Sequence, residues 1–128
     1  MFTTDLTGKY ALIAGSTQGI GLATAQALAD LGATCILMAR NETALHAVLP
    51  SLSTNQQQQH RIVVADFQFP EQVKTAVATA LQHSPIHILV NNSGGPAAGP
   101  IVDATTDAFI ATFQQHLIAN HILTTAVL

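Results

Sequence analysis

The sequence is poor in charge and in cysteine. Only 9% of its 128 residues are charged, well below the quarter or so of a soluble domain, while 48% are hydrophobic. Elements buried on two sides, or a surface that meets a partner, would account for this composition. The net charge of −3 provides no basic surface, so nucleic acid is not an expected partner. A single cysteine, Cys35, excludes a disulfide framework and favours a reducing, cytoplasmic location.

Targeting, membrane and metal signals are also missing. Met1–Asp5 shows no positive region followed by an apolar core, so no signal peptide is predicted. The longest apolar stretch, residues 19–39, is interrupted by Gln26, Asp30 and Gly32, which indicates a helix, a turn and a strand instead of a membrane span. No cluster of cysteine, histidine or aspartate has the spacing of metal ligands, so no metal is expected.

Short apolar runs alternate with helical patterns along the whole chain. Strands are predicted at Tyr10–Ala14, Thr34–Ala39, Arg61–Ala65 and Ile86–Val90, and helices at 19–31, 42–49, 70–82 and from about 106. The glutamine run at 56–59 is interpreted as a solvated loop. Continuous apolar strands that alternate with helices predict a parallel sheet with helices on both faces. The expected fold class is therefore α/β: a Rossmann-like doubly wound parallel sheet, with residues 1–128 as one dinucleotide-binding domain.

The first strand leads into the first helix through a glycine-rich turn, Gly15-Ser16-Thr17-Gln18-Gly19-Ile20-Gly21. Glycine permits a tight turn and lets the backbone approach a pyrophosphate closely. The amino end of the following helix offers free N–H groups and the positive end of its dipole. The turn is therefore predicted to bind the phosphates of a dinucleotide.

The spacing G-x-x-x-G-I-G resembles that of the short-chain dehydrogenase/reductase family, in particular its 3-oxoacyl-ACP-reductase-like members. Two further motifs carry the resemblance, which extends over residues ~5 to 128. Asp66, followed by Phe67, ends the third strand, where the family contacts adenine. After the fourth strand, Asn91-Asn92-Ser93-Gly94 is similar to the family's N-N-A-G, with Ser93 in place of alanine. All six of these residues are expected to border the cofactor.

The end of the second strand bears on the choice of cofactor. An NAD-selective site usually has an acid about 20 residues beyond the glycines, to bind the ribose hydroxyls. Here the strand ends in Ala39, Arg40 and Asn41, and the Arg40 guanidinium can pair with a 2′-phosphate. NADP(H) is therefore favoured over NAD(H), with Arg40 and Asn41 as binding residues. The alternative is that Arg40 stacks on adenine or faces water, and Gln18 adds no second positive charge.

The catalytic pattern departs from the family. The resemblance implies a catalytic Asn, Ser, Tyr and Lys, but Tyr10 is the only tyrosine and lies in the first strand. Counted without gaps, the family's asparagine falls on His116, and Asn120 lies one helical turn later. His116 is a candidate for proton relay, because imidazole titrates near neutral pH. The alternative is a helix histidine that fills space or bonds a backbone carbonyl.

Three functional hypotheses follow. The resemblance implies an NADP(H)-dependent oxidoreductase acting on a small carbonyl or alcohol substrate, present here as an amino-terminal fragment that is inactive by itself. The sheet is then expected to be truncated after about four strands in the order 3-2-1-4, and incomplete at the carboxyl end. The alternatives are a non-catalytic nucleotide-binding module and an assembly module from a truncated gene. A homo-oligomer formed through the last helix or the apolar edge at Ile86–Val90 is expected.

Overall fold

A parallel four-stranded sheet forms the centre of the molecule. The structure is a computed structural model that describes residues 4–128. The strands are β1 (Tyr10–Ala14), β2 (Thr34–Ala39), β3 (Arg61–Val64) and β4 (Ile88–Val90). Their spatial order is β3-β2-β1-β4, and every neighbouring pair is parallel. The α/β class and the predicted strand order are confirmed.

Helices connect the strands and follow the last one. They are α1 (Gly19–Asp30), α2 (Glu42–Val48), α3 (Pro70–His83), α4 (Thr106–Phe113) and α5 (Ala119–Val127). Local chemistry explains their ends. Asn41 caps α2 as the sequence indicates, because its Oδ1 accepts a hydrogen bond from the Ala44 amide at 3.0 Å. Gly32 follows α1 with φ of +100°, a conformation that glycine adopts without strain.

The sheet has an apolar core on each face, because alternate residues of a strand point to opposite sides. Leu12 of β1 and Ile36 of β2 belong to one core, which α3 and α5 cover. Ile13 and Leu37 belong to the other, which α1 and α2 cover. All four side chains are fully buried. The fold is thus the three-layer arrangement that continuous apolar strands predict.

Several details differ from the sequence prediction; among them, β3 ends at Val64 instead of Ala65. β4 begins at Ile88 instead of Ile86, although the His87 amide still donates to the Tyr10 carbonyl oxygen at 2.9 Å. The helix predicted at 42–49 ends at Val48, and Leu49 lies with Pro50 in a 3₁₀ turn, Leu49–Ser51, that follows it. The interpretation of the glutamine run as solvated is wrong for Gln58. Its buried side chain donates to the carbonyl oxygens of Ala29 and Ala33 and so satisfies acceptors at the end of α1.

Two histidines lie near the amino ends of β1 and β2. Nδ1 of His87 accepts from the Tyr10 amide at 3.0 Å, and the two rings stack with centroids 6.0 Å apart. Nδ1 of His60 accepts from the Cys35 amide at 2.9 Å. These rings therefore pair strand amide groups. Among residues 4–128, no helix is long and apolar enough to cross a membrane.

Candidate active site at the carboxyl edge of the sheet

The predicted site residues gather at one edge of the sheet. All four strands are parallel, so their carboxyl ends meet there. The glycine turn follows β1, Arg40 follows β2, and Asp66 lies two residues beyond β3. Asn91 directly follows β4. In an open α/β sheet, ligands bind outside the carboxyl ends of the strands, where the direction of winding changes. Here that change falls between β1 and β4.

The backbone of the glycine turn requires glycine for two different reasons. Gly15 and Gly19 have φ of +59° and +57°, which side chains with a Cβ rarely adopt. Gly21 is needed for close packing, since a Cβ atom there would overlap the carbonyl oxygen of Gly15. Around Gly19, a Cβ atom would meet nothing within 4 Å. Gly15 and Gly21 are thus in close contact with neighbouring atoms, whereas Gly19 faces open space.

Asn92 holds the turn from the neighbouring strand. Its Nδ2 donates to the carbonyl oxygen of Gly15 at 3.1 Å and lies 3.4 Å from that of Ala14. A Cβ atom at Gly15 would lie only 2.7 Å from both Nδ2 and the carbonyl oxygen of Asn92. The end of β4 and the glycine turn are therefore in direct contact. This contact explains why the motif after β4 matters for a turn that follows β1.

The amino end of α1 is free to meet an anion. Its first turn contains no acidic residue, and Gln18 makes no side-chain capping bond. The first amide groups of a helix have no partners within the helix, and its dipole is positive there. Ile20 projects from this turn with 79% of its surface exposed, Thr17 is half-buried, and Ser16 is fully buried. A ligand would meet Ser16 only through its backbone.

The residues after β2 present a cation and a helix cap. Arg40 is exposed, and its guanidinium makes no hydrogen bond or ion pair within residues 4–128. Asn41 is also exposed, but its side-chain oxygen is engaged in capping α2. Of the polar side-chain atoms of Asn41, only Nδ2 therefore remains for a ligand. The arrangement leaves Arg40 as the available positive charge beside the turn.

The residues after β3 have contrasting surroundings. Asp66 is half-buried, and its Oδ1 accepts from the Gln68 amide at 3.0 Å. Its backbone amide is not free to donate to a ligand, because it already donates to Oε1 of Gln72 at 3.0 Å. Phe67 is buried in the core beneath α3, so its backbone is the part a ligand can reach. Of these two residues, Asp66 thus presents the more accessible side chain.

Three hydrogen bonds join the loop after β4 to α5 and to the helical segment that precedes α5. Asn91 Nδ2 donates to Thr124 Oγ1 at 3.2 Å, and Gln115 Nε2 donates to the carbonyl oxygen of Gly94 at 2.6 Å. Ser93 Oγ lies 2.8 Å from Nδ1 of His116. Both Gln115 and His116 belong to a π-helical segment, Gln114–Ile118, that joins α4 to α5. Such segments are rare and are frequent at functional sites.

Other reactive groups lie apart from this edge. Cys35 is fully buried, and its burial raises the pKa of the thiol to about 12, so the thiol is neutral and unreactive at physiological pH. Across residues 4–128, no group of three or more histidine, cysteine, aspartate or glutamate residues could hold a metal ion. The chemistry of the edge is therefore that of amides, hydroxyls, the Arg40 guanidinium, the Asp66 carboxylate and the His116 imidazole.

Comparison with known proteins decides the family. The family model described as short chain dehydrogenase matches residues 9–128. This chain belongs to the short-chain dehydrogenase family. The resemblance on which the sequence prediction rests is thereby confirmed.

Individual relatives of this short-chain dehydrogenase are longer than the chain. It is 38% identical over 87 residues to inactive hydroxysteroid dehydrogenase-like protein 1 of Pongo abelii, covering 68% of this chain and 26% of that protein. It is 32% identical over 128 aligned positions to an uncharacterized oxidoreductase of Schizosaccharomyces pombe, covering 97% and 37%. The structure of L-sorbose reductase from Gluconobacter frateurii with NADPH and L-sorbose superposes with a TM-score of 0.89 at 30% identity, covering 98% and 48%. The chain thus spans about a quarter to a half of these proteins.

The two departures from the family pattern are in contact with each other. Ser93 stands where the family motif has alanine, and His116 stands where the family asparagine is expected, yet their side chains are 2.8 Å apart. Sequence reasoning singled out both residues but missed their contact and the π-helical segment that carries His116. The signal available was that both positions deviate. Asn120 is half-buried and has no side-chain hydrogen bond within the described chain.

Proposed function

We propose that this chain provides the NADP(H)-binding part of an oxidoreductase that transfers hydride between NADP(H) and a carbonyl or alcohol. The observation that carries the proposal is the glycine turn, which is closed by Asn92 and open at Gly19. The turn and the amino end of α1 would hold the pyrophosphate. The exposed Ile20 would cover the apolar side of the ligand, and Asp66 would meet the adenine. When bound, the cofactor supplies the hydride.

Arg40 is proposed to select the phosphorylated cofactor. No acid follows β2, where an NAD-selective site usually has one, and the Arg40 guanidinium has no partner within residues 4–128. A guanidinium can pair with a phosphate through two parallel hydrogen bonds. The NADPH in the structure of the Gluconobacter reductase, which shares 30% identity with this chain, supports this choice.

The variant Arg40→Ala tests the choice of cofactor. We expect NADPH affinity to fall about 10- to 100-fold, because a hydrogen-bonded charge contributes about 1.5–3 kcal/mol, while NADH affinity stays unchanged. Titration of each cofactor by calorimetry measures both values. Lys74→Ala is the matched control, since it removes an exposed cation that pairs with Glu71 on α3. Equal affinities for NADH and NADPH that survive Arg40→Ala would contradict the assignment.

Catalysis is proposed to need more than the residues of this chain. The family's Ser and Tyr-x-x-x-Lys have no counterparts in it, and the chain covers only 26–48% of the three proteins compared above. We therefore infer that the chain by itself binds the cofactor without efficient turnover. His116, or alternatively Asn120, would contribute to proton transfer once the remaining groups are present. The substrate would be a small molecule, and a reducing compartment such as the cytoplasm agrees with one buried thiol.

A non-catalytic role is the second candidate. The Pongo abelii relative at 38% identity is named an inactive protein, so nucleotide binding without turnover has a precedent among the relatives. An assembly role would use a second copy of the chain against α4 and the π-helical segment. There Phe109, Phe113 and Leu117 recur every four residues, each more than half exposed. Progress of cofactor oxidation by the full-length protein with a panel of carbonyl compounds separates the candidates, because a binding module would show affinity without turnover even at full length.

A further inference from the structure

We propose that Ser93 is a positioning residue that lets the His116 imidazole pass a proton without turning its ring. The inference rests on the proposed function and concerns the proton that accompanies the hydride. It starts from the 2.8 Å contact between Ser93 Oγ and Nδ1 of His116. Both side chains are half-buried, and the contact joins the loop after β4 to the π-helical segment.

The identity of the partner determines what the imidazole can do. A carboxylate only accepts a hydrogen bond, so it would fix the proton on Nδ1. A serine hydroxyl both donates and accepts, so it can pair with Nδ1 in either neutral tautomer. Nε2 of His116 has no hydrogen-bond partner within residues 4–128 and is left to face a ligand or water. The hydroxyl therefore keeps Nε2 available in both its donor and its acceptor form.

The loop that contacts His116 carries no charged side chain. The loop facing His116 carries amide and hydroxyl groups at Asn91, Asn92 and Ser93. No acidic or basic side chain within residues 4–128 forms an ion pair with His116. His121 is the nearest titratable residue along the same helical run and is exposed. The described contacts of the pair are therefore hydrogen bonds between uncharged loop groups and the imidazole.

The proton balance is simple. Reduction of a carbonyl consumes one proton in addition to the hydride. His116 gives the Nε2 proton towards the group that protonates the reacting oxygen, Nδ1 takes the proton of the Ser93 hydroxyl, and Oγ takes a proton from water, which leaves as hydroxide. One proton enters the pair and one leaves it, the ring ends as the other neutral tautomer, and no electrons move within the pair. Oxidation of an alcohol runs the same steps backwards.

Nitrogen-15 NMR of the imidazoles in the intact chain tests the positioning role without needing turnover. In the wild type we expect both neutral tautomers of His116 to be populated. In Ser93→Ala the tautomer ratio should shift to that of His83, an exposed histidine at the end of α3 with no hydrogen-bond partner in the described chain. Ser93→Thr should restore the wild-type ratio because it retains the hydroxyl. An unchanged ratio and titration of His116 in Ser93→Ala would overturn the proposal.

A double-mutant cycle in the full-length protein supplies the functional arm. We expect Ser93→Ala to lower kcat about tenfold and to alter the pH–rate profile, and to have no further effect in a His116→Asn background. Additive losses in the double variant would contradict the proton-passing step. Should NADPH bind with no turnover of any carbonyl, the oxidoreductase proposal fails. The tautomer measurement still decides whether Ser93 positions the imidazole.

Discussion

The Ser16 hydroxyl in the glycine turn is fully buried and has no hydrogen-bond partner within residues 4–128. A buried polar atom without a partner costs about 1–3 kcal/mol of stability, so such groups are rare. Ser84 is also buried, but its Oγ accepts a hydrogen bond from the Arg61 guanidinium at 2.6 Å. Replacement of each serine by alanine should therefore change the stability in opposite directions.

We predict that Ser16→Ala raises the free energy of unfolding by about 1 kcal/mol, because it removes a desolvated hydroxyl that makes no bond. Ser84→Ala should lower it by about 1–3 kcal/mol, because it leaves the Arg61 guanidinium without its partner. Urea unfolding of both variants measures the difference. A loss of stability in Ser16→Ala would show that this hydroxyl is bonded in solution.

We predict that Cys35 makes the folding stability of the protein decrease at alkaline pH. Burial raises the pKa of its thiol from 9.0 to about 12, so between these values the unfolded chain loses a proton that the folded chain keeps. Stability should therefore fall as the pH rises above about 9, by at most about 1.4 kcal/mol per pH unit from this group. Thermal unfolding from neutral pH to pH ~10 should show a smaller decline in Cys35→Ala than in the wild type. Parallel declines would refute the prediction.

At the scale of the elements, the turn between β1 and α1 is determined partly by sequence and partly by tertiary contact. The positive φ of Gly15 and Gly19 could be expected from the glycine spacing alone. The contact with Asn92 could not, because 77 residues separate it from Gly15. The same holds for the π-helical segment, whose residues bond a loop more than 20 positions earlier in the chain. Hydrophobic periodicity depends on the local sequence and does not identify such distant partners.

We predict that Gly21→Ala disables the turn. The new Cβ atom would overlap the carbonyl oxygen of Gly15, which costs about 1–3 kcal/mol of stability and displaces the amide groups that would bind phosphate. Gly99→Ala is the control, because a Cβ atom there meets nothing within 4 Å in an exposed loop. NADPH titration together with urea unfolding distinguishes the two variants. Wild-type affinity in Gly21→Ala would refute the proposed role of the turn.

At the scale of the whole molecule, the layered fold was predictable because the strands are short, continuous apolar runs. The bounds of β1 and β2 agree with the apolar runs at both ends. The bounds of β4 do not, since Ile86 and His87 lie before the first residue pair of the β1–β4 register, Ala11 and Ile88. What composition alone left open was how much apolar surface stays uncovered. The structure locates such surface on α4 and the π-helical segment.

We predict that this surface pairs with a second copy of the chain. Phe109, Phe113 and Leu117 are 55%, 56% and 56% exposed, and apolar patches of this kind mark interaction sites. The double change Phe109→Glu and Phe113→Glu should abolish self-association in sedimentation velocity. Val102→Glu, at a residue 86% exposed outside the patch, should leave it intact. A wild type that sediments as a monomer at every concentration would refute the prediction.

The bond between Asn92 and Gly15 has a consequence for how the molecule is made. During synthesis, β1, the glycine turn and α1 leave the ribosome long before residue 92 does, because 77 positions lie between the two ends of this bond. The turn therefore lacks its Asn92 partner while β2, β3 and their helices emerge. Closing a loop of this length is slower than forming local contacts. The nucleotide site is consequently among the last parts of the chain to be completed, although its motif is among the first to be translated.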